Sequence, residues 1–311
     1  MSTKLISVVT PCYNEEANVR ELYQRIKAVF DVLPAYRYEH IFIDNASKDK
    51  TVAVLRELAA ADPGVKVIVN ARNFGHIRSP HHALLQARGD AVVALASDLQ
   101  DPPELIPAFL EHWERGVKVV MGVKESSEES LAMYSVREAY YRLLARIADI
   151  QIVRQATGFG LYDRCVIEQL RRLDDPYPYF RGLMAELGYE TATVAYRQPL
   201  RKRGITKNNF YTLYDMAMLG IVNHSKVPLR LATIFGFAMA LLSFLVAMGY
   251  LVAKLVFWNE FSLGLAPILI GFFFLSSVQL TFVGIVGEYI GSIYTQVKRM
   301  PLVVERERIN W

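Results

Sequence analysis

The stretch Leu95-Ala96-Ser97-Asp98-Leu99-Gln100-Asp101-Pro102-Pro103-Glu104 indicates the fold most directly. It continues an apolar run, 91–96, which is typical of a short buried strand in a parallel sheet. Pro102 and Pro103 then predict the start of a helix, because the first helical residue needs no backbone N–H. In an open α/β sheet, ligands bind outside the carboxyl ends of the strands, where this acidic turn would lie.

The acidic turn has the composition of a metal site. Carboxylate and amide oxygens, here from Asp98 and Gln100, suit a hard divalent cation, and such a cation can hold a diphosphate. A polar turn that only caps the following helix has the same composition. These residues alone leave both interpretations open.

The same pattern repeats along the first 123 residues. Apolar runs predict further strands at 5–10, 38–43, 65–70 and 117–123. The segments between strands predict helices at 14–32, 51–61, 77–88 and 103–115. This alternation predicts an α/β domain with a mostly parallel, doubly wound sheet. Polar residues follow four strands, at Asn14, Asp44, Arg72 and Asp98, and four such positions at one sheet edge indicate a ligand crevice.

Beyond residue 123 the pattern becomes more helical. Residues 135–150 are amphipathic, and 157–163 form a glycine-punctuated stretch. The segment 201–207 (Arg-Lys-Arg-Gly-Ile-Thr-Lys) carries four cations in seven residues. A solvated patch against lipid headgroups is one interpretation of it. A loop around a phosphate is the other, and Gly204 and Thr206 favour it because small residues let backbone N–H groups approach oxyanions.

Two long segments carry the chain's excess of apolar residues. Hydrophobic residues make up 52% of the 311 residues, and the mean hydropathy is +0.18. Residues 231–253 and 261–287 contain no charged side chain. Each segment exceeds the roughly 20 residues that cross a hydrocarbon core of about 30 Å. The sequence therefore predicts two membrane-spanning helices.

The distribution of charge predicts the orientation of these spans. Basic residues flank the pair on both outer sides, at Lys226, Arg230, Lys298, Arg299, Arg306 and Arg308. By the positive-inside rule, both chain ends and the first domain are expected on the cytoplasmic side of the cell (inner) membrane. Two cysteines are too few for a disulfide framework, which fits a reducing compartment. The net charge of +4 suggests a membrane face or phosphorylated ligands rather than nucleic acid.

Six motifs, in this order, resemble a known family. P-x-Y-N-E at 11–15, D-x-x-S-x-D-x-T at 44–51, R-N-F-G at 72–75 and D-L-Q-D-P-P-E at 98–104 resemble glycosyltransferase family 2. R-x-x-G-x-T-K at 201–207 and G-E-Y-I-G at 287–291 narrow the resemblance. They are similar to membrane-bound polyisoprenyl-phosphate glycosyltransferases, of the bactoprenol glucosyltransferase and dolichyl-phosphate mannose synthase kind. The resemblance covers nearly the whole chain.

The resemblance implies an organisation in four parts. A GT-A catalytic domain, Rossmann-like with a mostly parallel sheet, would span 1–205, and amphipathic interfacial helices would follow at 206–229. A transmembrane hairpin would span 230–298, with helices at about 230–256 and 262–290. A cytoplasmic tail would comprise 299–311. The implied reaction is inverting transfer of a sugar, most simply glucose from UDP-glucose, onto a polyprenyl phosphate such as undecaprenyl phosphate, and a homo-oligomer is expected.

The resemblance also implies roles for individual residues. Asp98 and Gln100 would bind Mg²⁺ or Mn²⁺ on the donor diphosphate. Asp98, Arg201 and Lys207 would belong to the catalytic set, with the two cations facing the donor pyrophosphate or the acceptor phosphate. Asp101 is added to this set on its position alone, as the nearest spare carboxylate, which could act through water. The nucleotide sugar would be bound by Pro11, Tyr13, Asn14, Glu15, Asp44, Asn45, Ser47, Arg72, Asp98 and Arg203.

Two positions depart from the family pattern. Relatives usually read D-A-D-L-Q, whereas this chain has Ala96 in place of the first acid. Many also read G-D-F-R-L, in which the Asp is proposed to act as a general base. This chain has Gly158 in place of that Asp and Gly160 in place of the Arg. A phosphate monoester has a second pKa near 6 and is mostly dianionic at pH 7, so this nucleophile has no proton that must be removed.

Two alternatives stay open at this point. The same reaction could use another donor sugar, such as N-acetylglucosamine, mannose or an aminopentose. The chain could also be a non-catalytic membrane protein that binds a nucleotide sugar, which Ala96 and Gly158 would favour.

Overall fold

The computed structural model describes residues 3–124, 153, 156–198, 218–223, 225–257 and 265–311. Its strands are β1 (Lys4–Cys12), β2 (Tyr36–Asp44), β3 (Val65–Asn70), β4 (Ala91–Ala94), β5 (Val119–Lys124), β6 (Ala156–Asp163), β7 (Thr191–Tyr196) and β8 (Glu305–Ile309). Its helices are α1 (Val19–Asp31), α2 (Thr51–Ala61), α3 (Gly75–Gln86), α4 (Ile106–Glu114), α5 (Arg164–Leu173), α6 (Phe180–Leu187), α7 (Val227–Val256) and α8 (Leu265–Lys298). A short 3₁₀ turn, Pro103–Leu105, precedes α4.

The strands form one mixed sheet in the order β7-β5-β6-β4-β1-β2-β3-β8. Strands β4, β1, β2 and β3 pair in parallel, and β5 pairs in parallel with β7. Strand β6 runs antiparallel to both β4 and β5, and β8 runs antiparallel to β3. All strands except β6 and β8 therefore run in one direction. The predicted α/β class with a mostly parallel sheet is confirmed.

Helices cover both faces of the central strands. Ile6 and Val8 of β1 are fully buried and belong to a core that includes Phe109 of α4. Val9 of the same strand belongs to a second core, on the other face, that includes Leu84 of α3. Burial on both faces explains why these strands are continuous apolar runs rather than alternating ones.

The glycine-punctuated stretch 157–163 lies within β6, which the sequence did not predict as a strand. A Cβ atom at Gly160 would lie 2.2 Å from the carbonyl oxygen of Val120 in β5. Gly160 therefore permits the close approach of the two strands, and no side chain fits there. Gly158 has φ +96°, a left-handed conformation that favours glycine.

The segment after the second long helix returns to the sheet. Residues 299–311 are predicted above as a tail, whereas the structure places Glu305–Ile309 beside β3 as the edge strand β8. The backbone N–H of Ala71 donates to the carbonyl oxygen of Val304 (2.9 Å), and the Arg78 guanidinium donates to that of Pro301. Without β8, the buried strand β3 would present an open edge, which explains the difference.

Helices α7 and α8 are long and apolar enough to cross a membrane. Large apolar side chains along both helices are exposed, including Phe237 at 73% and Ile270 at 71%. A surface of this kind is stable in lipid and unfavourable in water, which is consistent with membrane association. Helix α8 contacts the rest of the chain near its end, where Gln296 Nε2 donates to Asp175 Oδ1 (3.0 Å). The domain limits given above stay predictions.

Candidate active site

Three loops at the carboxyl edge of the sheet contain a non-glycine residue in the left-handed region. Asn14 follows β1 with φ 58°, Ala46 follows β2 with φ 60°, and Leu99 follows β4 with φ 62°. Alanine and leucine rarely adopt this conformation, and residues held in it cluster at ligand sites. The strained positions coincide with the crevice that the sequence predicts.

The loops after β1 and β2 hold each other in place. The backbone N–H of Asn14 donates to Ser47 Oγ (2.9 Å), and that of Lys48 donates to Asn14 Oδ1 (2.8 Å). The backbone N–H of Glu15 donates to Thr51 Oγ1 (2.8 Å). Three residues predicted to bind the nucleotide sugar thus lie side by side: Asn14, Glu15 and Ser47. Their hydrogen bonds to neighbouring loop residues form one side of the crevice.

Asp44 is a buried carboxylate at the end of β2. It is 0% exposed, and its Oδ2 accepts from the backbone N–H of Ser47 (3.0 Å). Its Oδ1 has no hydrogen-bond partner among the described residues. Burial raises the pKa of this carboxyl, an effect that its hydrogen bonds to Ser47 and Ala46 oppose. A buried oxygen without a donor is costly, so a ligand N–H or O–H would be stabilised here.

Asn45 connects the loop after β2 to the R-N-F-G segment. Its Nδ2 donates to Asn73 Oδ1 (2.9 Å) and to the carbonyl oxygen of Gly75 (3.0 Å). Its Oδ1 accepts from the backbone N–H of Phe74 (2.8 Å). The amide of Asn45 is therefore engaged within the protein. Arg72 is exposed, and its guanidinium lies over the Phe74 ring at 4.0 Å from the centroid.

The Cys12 thiol lies where the loops after β1, β2 and β4 meet. Burial, followed by the charges of Asp44 and Glu15, raises the pKa of this thiol well above its ordinary value, while a hydrogen bond with Ser97 opposes the rise. The loops after β1 and β2 and the loop that leads to Asp98 therefore meet around one thiol. Pro11 and Tyr13, on either side of Cys12, occupy partly buried positions there.

The acidic turn presents one carboxylate and one amide. Asp98 and Gln100 are partly exposed, and they alternate with the buried residues Ser97, Leu99 and Asp101. The backbone N–H of Gln100 donates to Asp98 Oδ1 (3.2 Å). Within the described part of the chain, no group of three or more His, Cys, Asp or Glu side chains could hold a metal by itself. The donor set fits Mg²⁺ or Mn²⁺ that takes one carboxylate and completes its shell with diphosphate and water.

Asp101 is a buried carboxylate with a hydrogen-bond donor on each oxygen. It is 6% exposed, its Oδ2 accepts from the backbone N–H of Ala96 (3.1 Å), and its Oδ1 accepts from the Tyr196 hydroxyl (3.0 Å). Burial raises the pKa of this carboxyl despite both bonds. Both oxygens are thus engaged within the protein and support the turn, and the catalytic role of Asp101 stays a prediction.

The predicted cations Arg201, Arg203 and Lys207 lie outside the described residues. Sequence reasoning also missed two features of this region. Tyr196 was not singled out, because only the fold brings it to Asp101. A cavity of about 310 Å³ lies between β6 and α6, with Gly158, Tyr162 and Arg181 among its lining residues. In the sequence, the aromatic and basic residues at 177–184 were the available indication of this cavity.

Comparison with known proteins identifies relatives of this chain. The family model described as Glycosyl transferase family 2 matches residues 7–171. An uncharacterized glycosyltransferase, YkcC of Bacillus subtilis (strain 168), is 36% identical over 299 residues, covering 96% of this chain and 92% of that protein. The SfII prophage-derived bactoprenol glucosyl transferase of Shigella flexneri is 35% identical over 297 residues, covering 95% and 96% of the two chains.

A solved structure is also similar. Glucosyl-3-phosphoglycerate synthase from Mycobacterium tuberculosis, in complex with Mn²⁺, uridine diphosphate and phosphoglyceric acid, matches with a TM-score of 0.48 at 22% identity. The match covers 70% of this chain and 76% of that chain.

Proposed function

The chain belongs to glycosyl transferase family 2, and from this premise we propose that it transfers glucose from UDP-glucose to a polyprenyl phosphate at the cytoplasmic face of a membrane. One observation carries the proposal: the similarity to a bactoprenol glucosyl transferase extends over 95% of this chain and so includes both apolar helices as well as the sheet. A glycosyltransferase that acted only on soluble acceptors would not need the two apolar helices.

The crevice supplies the features that a nucleoside diphosphate needs. The unpartnered Asp44 Oδ1 would accept from a donor group of the nucleoside, and the interlocked loops of Asn14 and Ser47 would hold it in place. Asp98 and Gln100 would hold Mg²⁺ or Mn²⁺, which supplies charge neutralisation for the diphosphate as it leaves. Asp98 would be oriented by the turn that Asp101 and Ala96 close.

The acceptor needs positioning more than it needs a base. A lipid phosphate is mostly dianionic at pH 7, so its oxygen can attack the anomeric carbon directly as the bond to the diphosphate breaks. Arg201 and Lys207 would face the two phosphate groups and Arg203 the nucleotide sugar, all three lying in the basic segment 201–207. Gly158 is then compatible with catalysis, because no general base is required at its position.

The path of the chain favours a lipid acceptor. Helix α8 ends at Lys298, and within six residues the chain contacts Arg78 and then Ala71, which directly follows β3. The carboxyl edge of the sheet, where the crevice lies, is thus tied to the end of an apolar helix. Basic residues on the outer flanks of both helices favour a cytoplasmic catalytic domain and a multi-pass anchor. A homo-oligomer stays a prediction.

The test is transfer of radiolabelled sugar to undecaprenyl phosphate by the full-length protein in detergent. A panel of UDP-glucose, UDP-N-acetylglucosamine and GDP-mannose is assayed with and without Mn²⁺, beside Asp98→Ala. We expect label in the lipid from UDP-glucose, and at least a hundredfold less from the variant or without metal. Label from another donor would change the sugar, and label that persists without metal would remove the metal site. Absence of transfer from every donor, with UDP still bound, would refute the proposal.

A further inference from the structure

A hydrogen bond joins the acidic turn to a strand distant in sequence. Tyr196 is the last residue of β7 and is 5% exposed. Its hydroxyl donates to Asp101 Oδ1 (3.0 Å) across a sequence separation of 95 residues. The other oxygen of the same carboxylate accepts from the backbone N–H of Ala96 (3.1 Å). One buried carboxylate therefore closes the turn and binds β7 at the same time.

The turn between these two contacts is not a relaxed one. Asp98 lies between Ala96 and Asp101, and the next residue, Leu99, has φ 62° with its side chain buried. A leucine in the left-handed region persists only where surrounding contacts over-determine it. The bonds to Asp101 span this turn, so they restrain the backbone on both sides of Asp98.

The tyrosine side of the contact is held by close packing. The rings of Phe159 and Tyr196 meet edge to face with centroids 5.5 Å apart. A Cβ atom at Gly122 would lie 2.7 Å from the Phe159 ring and 3.1 Å from the Tyr196 ring. The Tyr196 ring thus fills its site fully, which fixes the position of its hydroxyl independently of the acidic turn.

Tyr196 lies at the same edge of the sheet as the acidic turn. Strand β7 runs in the direction of β4, so Tyr196 lies at the carboxyl edge with Asp98. The Tyr196–Asp101 bond therefore joins the loop that contains Asp98 to the carboxyl end of β7.

We propose that Tyr196 is a positioning residue for the diphosphate site, acting through Asp101 on the turn that presents Asp98. The inference rests on the proposed function of the crevice. It assigns Tyr196 to the affinity for a divalent cation together with a nucleoside diphosphate. Binding of the nucleoside at Asp44, on the other side of β1, is independent of this contact.

The test is Tyr196→Phe in the full-length protein in detergent. The variant keeps the ring and loses only the hydroxyl, so the packing on Phe159 and Gly122 is retained. In the presence of UDP, we expect binding of Mn²⁺, followed by its electron paramagnetic resonance signal, to weaken about tenfold, as befits one lost hydrogen bond to a carboxylate. Binding of uridine without metal should change less than twofold. Hydrogen exchange of segment 96–101, measured without any ligand, should accelerate about tenfold.

Tyr23→Phe is the matched control. The Tyr23 hydroxyl donates to Asp62 Oδ2 (2.9 Å), a bond of the same kind outside the crevice. We expect both variants to melt at similarly lowered temperatures, with Mn²⁺ binding and exchange at 96–101 altered only in Tyr196→Phe. Unchanged Mn²⁺ binding and unchanged exchange in Tyr196→Phe would overturn the inference, as would equal effects in both variants. Hydrogen exchange is measured without substrate, so it decides the role of Tyr196 even if the wild type transfers no sugar. Absence of transfer would overturn only the proposed function.

Discussion

Asp44→Asn should make the protein more stable and less able to bind its nucleotide. The wild-type carboxylate is fully buried, and one of its oxygens has no partner among the described residues. An asparagine can still accept from the Ser47 N–H through its oxygen. Its amide nitrogen then replaces the unpartnered oxygen, so the negative charge disappears from the interior. The NH₂ group would face the N–H or O–H of the nucleoside, to which it cannot form a hydrogen bond.

The magnitudes follow from one charge and one hydrogen bond. Removing a buried charge that has no hydrogen-bond partner on one of its two oxygens should raise the free energy of unfolding at pH 7 by about 1–2 kcal/mol. Losing a charge-assisted hydrogen bond to the ligand costs about 1.5–3 kcal/mol, which corresponds to a roughly 10- to 150-fold weaker dissociation constant for UDP.

The gain in stability should depend on pH. Because burial raises the pKa of Asp44 above its ordinary value of 3.8, the folded protein holds this proton more tightly than the unfolded chain does. The resulting destabilisation of the wild type is absent below about pH 3.8, grows as the pH rises through the raised pKa, and is fully present above it. The advantage of Asp44→Asn should therefore be larger at pH 7 than at pH 4.

Two measurements decide the matter: calorimetric titration of UDP, and thermal unfolding followed from pH 4 to pH 8. Asp90→Asn is the control, because the Asp90 carboxylate accepts from the backbone N–H of Leu5 (2.8 Å) at the opposite edge of the sheet. It should leave UDP affinity unchanged and lower the stability. An Asp44→Asn protein that binds UDP as tightly as the wild type would refute the role given to the free oxygen.

Two further predictions concern the sheet. Burial opposes ionisation of Glu39, but hydrogen bonds from Lys66 (2.6 Å), Ser7 and the Arg88 N–H lower the pKa of this carboxyl overall. The contribution of the Glu39 carboxylate to stability is therefore lost as the pH falls through that lowered pKa. Lys66→Met should thus cost about 3–5 kcal/mol at pH 7 and less at pH 4, and a loss of equal size at both pH values in denaturant melts would contradict this. Gly160→Ala should lower the free energy of unfolding by at least about 1–3 kcal/mol, because its Cβ atom would lie 2.2 Å from a carbonyl oxygen of β5. Gly116→Ala is the control: its Cβ atom would meet nothing within 4 Å, so it should cost only the strain of the left-handed backbone. Equal melting temperatures of the Gly160 variant and the wild type would refute the close approach.

The parallel half of the sheet was predictable because its signals are local. Strand 65–70 and helix 51–61 were predicted with the limits that the structure shows, since an apolar run between polar turns specifies both ends. Asp44 and Asp98 were placed at the carboxyl edge by the same logic, because parallel strands bring their ends together.

The remaining strands depend on partners distant in sequence. Strand β6 contains Gly158 and Gly160, which by themselves indicate a turn, and only the close approach of β5 explains the second. Strand β8 has only five residues, of which the first four are charged, and nothing local specifies that β3 is its partner. The contact of Asp101 with Tyr196 was not predictable for the same reason, because the hydroxyl donor comes from 95 residues away. The catalytic role of Asp101 stays a prediction.

The late position of β8 links biogenesis of the two parts of the chain. The ribosome must synthesise both apolar helices before the strand that covers β3 exists, so the nascent catalytic domain waits with an unpaired, buried-type strand at its edge. That edge is a template for aggregation until β8 has returned to it. On the proposed membrane topology, insertion of the two helices would belong to this step, and a chain whose helices failed to insert would keep an exposed edge that chaperones and proteases can detect.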